Sequence, residues 1–160
     1  MWITPSGLSR YKIQAKHLVK VHLRTGKAFG NVRPSIEFNL HRKIYNNRQD
    51  INAVVHTHSP FTIGVSISSK FRHVIEEAQI VVGEPVIISN KSSGSNDLAE
   101  SVSLAFQKER STRAVVIKNH GVVTIGKDIH QARAVVEALE EWAKIITISE
   151  IFGGAKDYLS

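Results

Sequence analysis

The sequence predicts a three-layer α/β fold, and three observations predict it. Short apolar runs alternate with longer stretches of helical periodicity. Several candidate strands follow one another with only a turn between them, which a pure β-α repeat would not allow. No internal repeat, low-complexity tract or linker interrupts the order, so the chain reads as a single domain over residues 1–160.

Trp2-Ile3-Thr4 reads as a strand, ended by the turn Pro5-Ser6-Gly7. Leu18-Val19-Lys20-Val21-His22-Leu23 alternates and stops at Thr25-Gly26, a second strand and turn. Pro34-Ser35-Ile36-Glu37 starts a helix running to about Asn46, with Phe38, Leu40, His41, Ile44 and Tyr45 at helical spacing. Ala53-Val54-Val55 leads a strand into His56. Ser59-Pro60 then gives an N-cap and a first-turn proline for a short helix to about Ser69.

Val86-Ile87-Ile88 is a short strand, and Ser95-Asn96-Asp97 caps a helix of Leu98, Val102, Ala105 and Phe106. Two short strands, Ala114–Ile117 and Val122–Ile125, flank His120. The last long helix starts at Asp128 and carries Ile129, Ala132, Val135, Val136, Leu139, Trp142 and Ile146 at helical spacing. Trp142 and the apolar face around it read as core or subunit interface rather than a cofactor site.

Composition narrows the function classes. There is no cysteine, which excludes disulfides and thiolate metal ligands and fits the cytoplasm. No apolar stretch approaches the roughly 20 residues that span a bilayer, and no signal-peptide pattern opens the chain. Net charge is +7, but Lys and Arg are scattered and never form a dense block interleaved with aromatics. The expectation is a mild pull on anionic substrates, with neither nucleic acid nor membrane as partner.

Chemistry concentrates in the histidines. His56 and His58 lie two residues apart, so a strand puts both on one face, with Cα atoms roughly 7 Å apart. Two imidazoles can converge on one metal from there. A third can come from Asn119-His120-Gly121, after the apolar run Ala114–Ile117. Three histidines with an open position suit a catalytic zinc better than a closed structural one. Taken alone, the pair could equally be polar residues closing a strand, and His120 a turn residue. His41 reads as a helix residue contacting the sheet or supporting a ligand, and His17, His22, His73 and His130 as surface or packing residues.

Four motifs in order resemble the class II aldolase and adducin family of zinc enzymes, typified by fuculose-1-phosphate aldolase and ribulose-5-phosphate 4-epimerase. Ile3-Thr4-Pro5-Ser6-Gly7 looks like the family's phosphate-loop segment, and Pro34-Ser35-Ile36-Glu37, with His41 one turn on, like its serine-glutamate motif. Ala53-Val54-Val55-His56-Thr57-His58 looks like its paired zinc histidines, and Asn119-His120-Gly121 like its third. The resemblance spans about Ile3 to Ile146. The chain also departs from the pattern. It opens just before the Thr-Pro-Ser-Gly turn, without the usual N-terminal helix and first strand. Ile36 stands where many members have a second serine, and Glu77 stands near where the fuculose enzyme carries a tyrosine.

The resemblance implies a three-layer α/β/α fold with a mixed, mostly antiparallel central sheet. It implies one Zn²⁺ per chain on His56, His58 and His120, and an aldehyde-lyase cleaving or forming a C–C bond in a small sugar phosphate. Glu37 becomes a carboxylate beside the metal that shuttles a proton; on its local pattern it could equally complement a helix dipole. Ser6, Gly7 and Ser35 become phosphate-binding residues, where ordinary turn and cap roles stay open. The family also implies a homotetramer in which a residue from a neighbour's C-terminal tail, Tyr158 here, reaches the substrate. Epimerisation or dehydration of a pentulose phosphate at the same metal, and an inactive adducin-like scaffold, remain alternatives.

Overall fold

The computed structural model describes residues 1–68, 71–156 and 159. The chain resolves into two compact units, Met1–Gln49 with Lys91–Ser103, and Asp50–Asn90 with Leu104–Ser160.

In the first unit β1 (Trp2–Ile3), β2 (Val19–Val21) and β3 (Ala28–Phe29) form an antiparallel sheet in that order. Alternation places Ile3, Val19 and Val21 in a small core, while Trp2, Lys20 and Phe29 lie in register with one another. The turn after β2 closes through the N–H of Gly26, which donates to the carbonyl of His22 at 2.8 Å. Gly26 takes a φ of +75° there. His22 is a turn residue whose Nδ1 accepts from the N–H of Thr25 at 3.2 Å. At two residues, β3 is too short to show alternation in the sequence.

Helix α1 (Phe38–Asn47) begins with its first apolar-spaced residue, later than the expected start at Pro34–Glu37. An isolated antiparallel bridge joins Pro5 to Pro34. The N–H of Ser6 donates to the carbonyl of Arg33, and that of Ser35 to the carbonyl of Thr4, each at 2.9 Å. These bonds keep the expected helix start extended. Glu37 therefore stands at the N-cap position instead of within the first turn. Leu40 and Ile44 bury the inner face of α1.

The second unit holds β4 (Ala53–Thr57), β5 (Val86–Ile88), β6 (Ala114–Ile117) and β7 (Gly121–Gly126), in spatial order β4-β7-β6-β5. β4 pairs with β7 and β7 with β6 antiparallel, while β6 and β5 are parallel. A parallel neighbour needs a crossover, which α4 (Asn96–Lys108) supplies. Ser95 caps α4 as its sequence predicts, its Oγ accepting from the N–H of Leu98 at 3.1 Å. Every residue of β6 and β7 is buried, so their strands read as continuous apolar runs. The expected α/β class with a mixed, mostly antiparallel sheet is observed, with strand pairing divided between two sheets.

Helices α2 (Pro60–Ser68), α3 (Glu76–Val82) and α5 (Ile129–Ile151) complete the unit. Asp128 caps α5, accepting from the N–H of Gln131 at 2.8 Å. Ser59 precedes α2 as expected, but its hydroxyl pairs with that of Thr57 at 2.8 Å. The helix amides that it was expected to meet are held from α5 instead. Helix α3 escapes prediction because its N-cap is Ile75, which has no capping side chain. Trp142 is fully buried among the chain's own residues; its Nε1–H donates to the carbonyl of Arg72 at 2.7 Å, and Phe71 meets it edge-on at 5.5 Å. From Ala132 to Ile146 that apolar stripe is core, while Ile129 at its start is exposed. Among the described residues, no helix is long and apolar enough to cross a membrane.

Candidate metal centre

His56 belongs to β4, and His58 follows its last residue. Antiparallel register sets Thr57 opposite Val122, at the start of β7. His120 arrives at the same end of the sheet because Lys118, Asn119 and His120 form a tight loop between the paired residues Ile117 and Gly121. Such a loop needs one residue in the left-handed region, and Asn119 takes it at φ 57°; asparagine tolerates that better than most residues.

The three rings converge. Their centroids lie 5.1 Å apart for His56 and His58, 5.0 Å for His56 and His120, and 5.2 Å for His58 and His120. One ligand nitrogen from each lies within 4.8 Å of the others. His56 and His120 are half-buried and His58 is exposed.

Gly121 makes this convergence possible. A Cβ there would sit 2.3 Å from the carbonyl oxygen of Thr57, 3.1 Å from Cδ2 of His58 and 3.2 Å from Cε1 of His56. Backbone cannot yield to such a contact, so only glycine fits between the strands and beside both rings. The pairing of His120 with a following glycine was a signal available in the sequence. The ring of His56 is oriented by the backbone, since Nδ1 lies 3.0 Å from the carbonyl oxygen of Val122. A carbonyl only accepts, so Nδ1 carries the proton and Nε2 is left as the nitrogen that could ligate a metal. No sequence pattern foretells that contact.

The donor set fits a divalent metal. A tetrahedral zinc with bonds of about 2.0–2.1 Å spaces its ligand nitrogens by about 3.4 Å, a separation that small ring rotations reach from here. Three imidazoles leave a coordination position for a substrate or water. His41 is of another kind: half-buried in α1, it loses enough solvent for its imidazole to be pushed down to about 4. His17 accepts a backbone N–H from Gln14, and His73 pairs with Glu84 beside Trp142.

In the first unit, the expected phosphate segments are side by side, since the Pro5–Pro34 bridge joins Ser6 and Gly7 to Ser35. The N–H groups of Ser6 and Ser35 are engaged in that bridge, and Ser35 Oγ accepts from the N–H of Glu37 at 3.3 Å. Gly7 takes a φ of +77° with open space around it. The Glu37 side chain is buried, and its Oε1 accepts from the N–H of Gly94 at 3.1 Å. Gly94 itself takes φ +72° and lies against the Ile36 carbonyl, where a Cβ would come within 3.1 Å. Tyr158 lies outside the described residues.

Comparison with known proteins places this arrangement. The family model of the Class II Aldolase and Adducin N-terminal domain matches residues 1–147. An L-fuculose phosphate aldolase of Methanococcus maripaludis is 38% identical over 149 residues, covering 91% of this chain and 77% of that protein. A 5-deoxy-D-ribulose 1-phosphate aldolase of Bacillus thuringiensis is 30% identical over 155 residues, covering 96% and 71%. A solved L-fuculose 1-phosphate aldolase superposes with a TM-score of 0.86 at 26% identity, covering all of this chain and 74% of that one. With its three clustered histidines on this scaffold, the chain belongs to the class II aldolase and adducin family.

Proposed function

We propose that the chain is a zinc-dependent aldehyde-lyase that cleaves or forms a C–C bond in a small sugar phosphate of the ketose 1-phosphate kind. The observation that carries this reading is the convergence of His56, His58 and His120 at one end of the sheet. Relatives named for fuculose phosphate and deoxyribulose phosphate support the substrate class.

His56, His58 and His120 would hold the ion, and an all-imidazole set suits zinc among the divalent metals. When bound, the cation supplies Lewis acidity at the substrate carbonyl and balances the negative charge that develops as the neighbouring C–C bond breaks. Glu37 is assigned the proton transfer at a substrate hydroxyl, a role its family motif supports and its buried carboxylate suits. The Ser6 hydroxyl, the Gly7 backbone and Ser35 are assigned to the phosphate. Tyr158 is assigned to the substrate of a neighbouring subunit in a homotetramer. The cytoplasm is the assigned compartment, consistent with a chain that has no cysteine.

The test incubates zinc-loaded protein with L-fuculose 1-phosphate and 5-deoxy-D-ribulose 1-phosphate and follows release of an aldehyde. Aldehyde formation that a chelator abolishes is the expected result. Substrate turned over without aldehyde would move the assignment to an epimerase or dehydratase. No turnover of any ketose phosphate by fully zinc-loaded protein would point to an adducin-like scaffold.

A further inference from the structure

The first turn of α2 is held by a carboxylate from another helix. The four leading N–H groups of a helix have no partner within it. Here Pro60 has none to satisfy, and the N–H of Ile63 donates to the carbonyl of Ser59 at 3.0 Å. The remaining two converge on Glu140 of α5: Phe61 N–H reaches Oε1 at 3.0 Å and Thr62 N–H reaches Oε2 at 2.8 Å. The Thr62 hydroxyl donates to the same Oε2 at 2.7 Å. Thr62 is fully buried. One turn further along α5, Lys144 lies over the Phe61 ring at 5.8 Å from its centroid. A charged acceptor facing the positive end of a helix makes these bonds stronger than neutral ones.

This clamp bears on the metal centre through chain connectivity. His58 and Ser59 alone link Thr57, the last residue of β4, to Pro60, the first of α2. Pairing with β7 fixes the first end of that link, and the seat of α2 fixes the second. His56 gains its orientation from the strand and from the Val122 carbonyl, whereas His58 is exposed and lies beyond the strand. We infer that Glu140 is a positioning residue for His58, holding its backbone where the imidazole meets His56 and His120. The inference rests on the proposed metal reading of the three histidines. Without Glu140, two helix amides and a buried hydroxyl lose their acceptor. The first turn of α2 then loosens, and the link carrying His58 loosens with it.

Cobalt(II) titration of the metal-free full-length protein tests this, since the ligand-field spectrum reports tetrahedral nitrogen ligation without any assay of activity. Wild type is expected to bind tightly and Glu140→Ala about 10–100-fold more weakly, the usual effect of losing a supporting contact behind a ligand. Glu140→Gln keeps one acceptor oxygen and should fall between them, which preserves the test if the alanine variant does not fold. Val135→Ala, a cavity in the same helix at a fully buried site, controls for stability alone. It should lower the melting temperature yet keep wild-type cobalt affinity. Glu140 variants that bind like wild type, or a Val135→Ala loss of affinity equal to theirs, would overturn the inference. Wild type that shows no cobalt spectrum would overturn the metal reading itself.

Discussion

At Gly121 and Glu37 the proposed chemistry can be tested one residue at a time. Gly121→Ala places a methyl group 2.3 Å from the Thr57 carbonyl and against two of the three histidine rings. The β4–β7 pairing must open at that end, so zinc affinity should fall at least about tenfold, alongside a loss of stability of about 1–3 kcal/mol. Isothermal titration with zinc checks the first and urea unfolding the second; an alanine variant that binds as wild type would show that the close approach is not needed. Glu37→Gln separates the proposed proton transfer from the observed support of Gly94. Its Oε1 can still accept from Gly94, so the fold and bound zinc should persist, while turnover should drop about a hundredfold if the carboxylate moves the proton. Unchanged turnover in steady-state kinetics would leave Glu37 as a support for the Gly94 turn alone.

At the scale of elements, α1 carries a pH signature. His41 sits in that helix with its imidazole pushed down to about 4 from an ordinary 6.5 by loss of solvent. Above pH 6.5 the ring is neutral in both folded and unfolded chains and has no effect. Between 6.5 and 4 only the unfolded chain takes up the proton, so stability should fall as the pH drops through that window, by on the order of 1–3 kcal/mol. Chemical denaturation from pH 4 to 7 should show that slope in wild type and a flatter one in His41→Gln; equal slopes would contradict it. The same element shows why a sequence discloses some boundaries and hides others. The apolar spacing of Leu40 and Ile44 announces α1, but its first residue is set by the distant bridge between Pro5 and Pro34. Asp128 and Ser95 cap their own helices and were legible as starts. Ser59 was equally legible as a cap, and its hydroxyl turns instead to Thr57. Helix α3 has no capping side chain, and β3 has too few residues to show a period.

For the whole molecule, the histidines were legible because strand alternation and a short hairpin loop bring them together by local rules. The segments assigned to phosphate were singled out only by resemblance, and they meet through backbone pairing that no side-chain pattern encodes. Assembly stands on the family alone, since Trp142, which would have marked an interface, is buried within the chain. A homotetramer is expected by multi-angle light scattering at micromolar concentration, and Tyr158→Phe should keep zinc and lose turnover. A zinc-loaded, active monomer would remove both the tetramer and the Tyr158 role. The central claim is that three histidines, at one end of two neighbouring strands, hold one catalytic metal. Metal analysis of purified wild type and His120→Ala, by inductively coupled plasma mass spectrometry after dialysis, tests it most directly. Wild type should retain close to one zinc per chain and His120→Ala almost none, with both proteins folded by circular dichroism; full zinc retention in His120→Ala would contradict the claim.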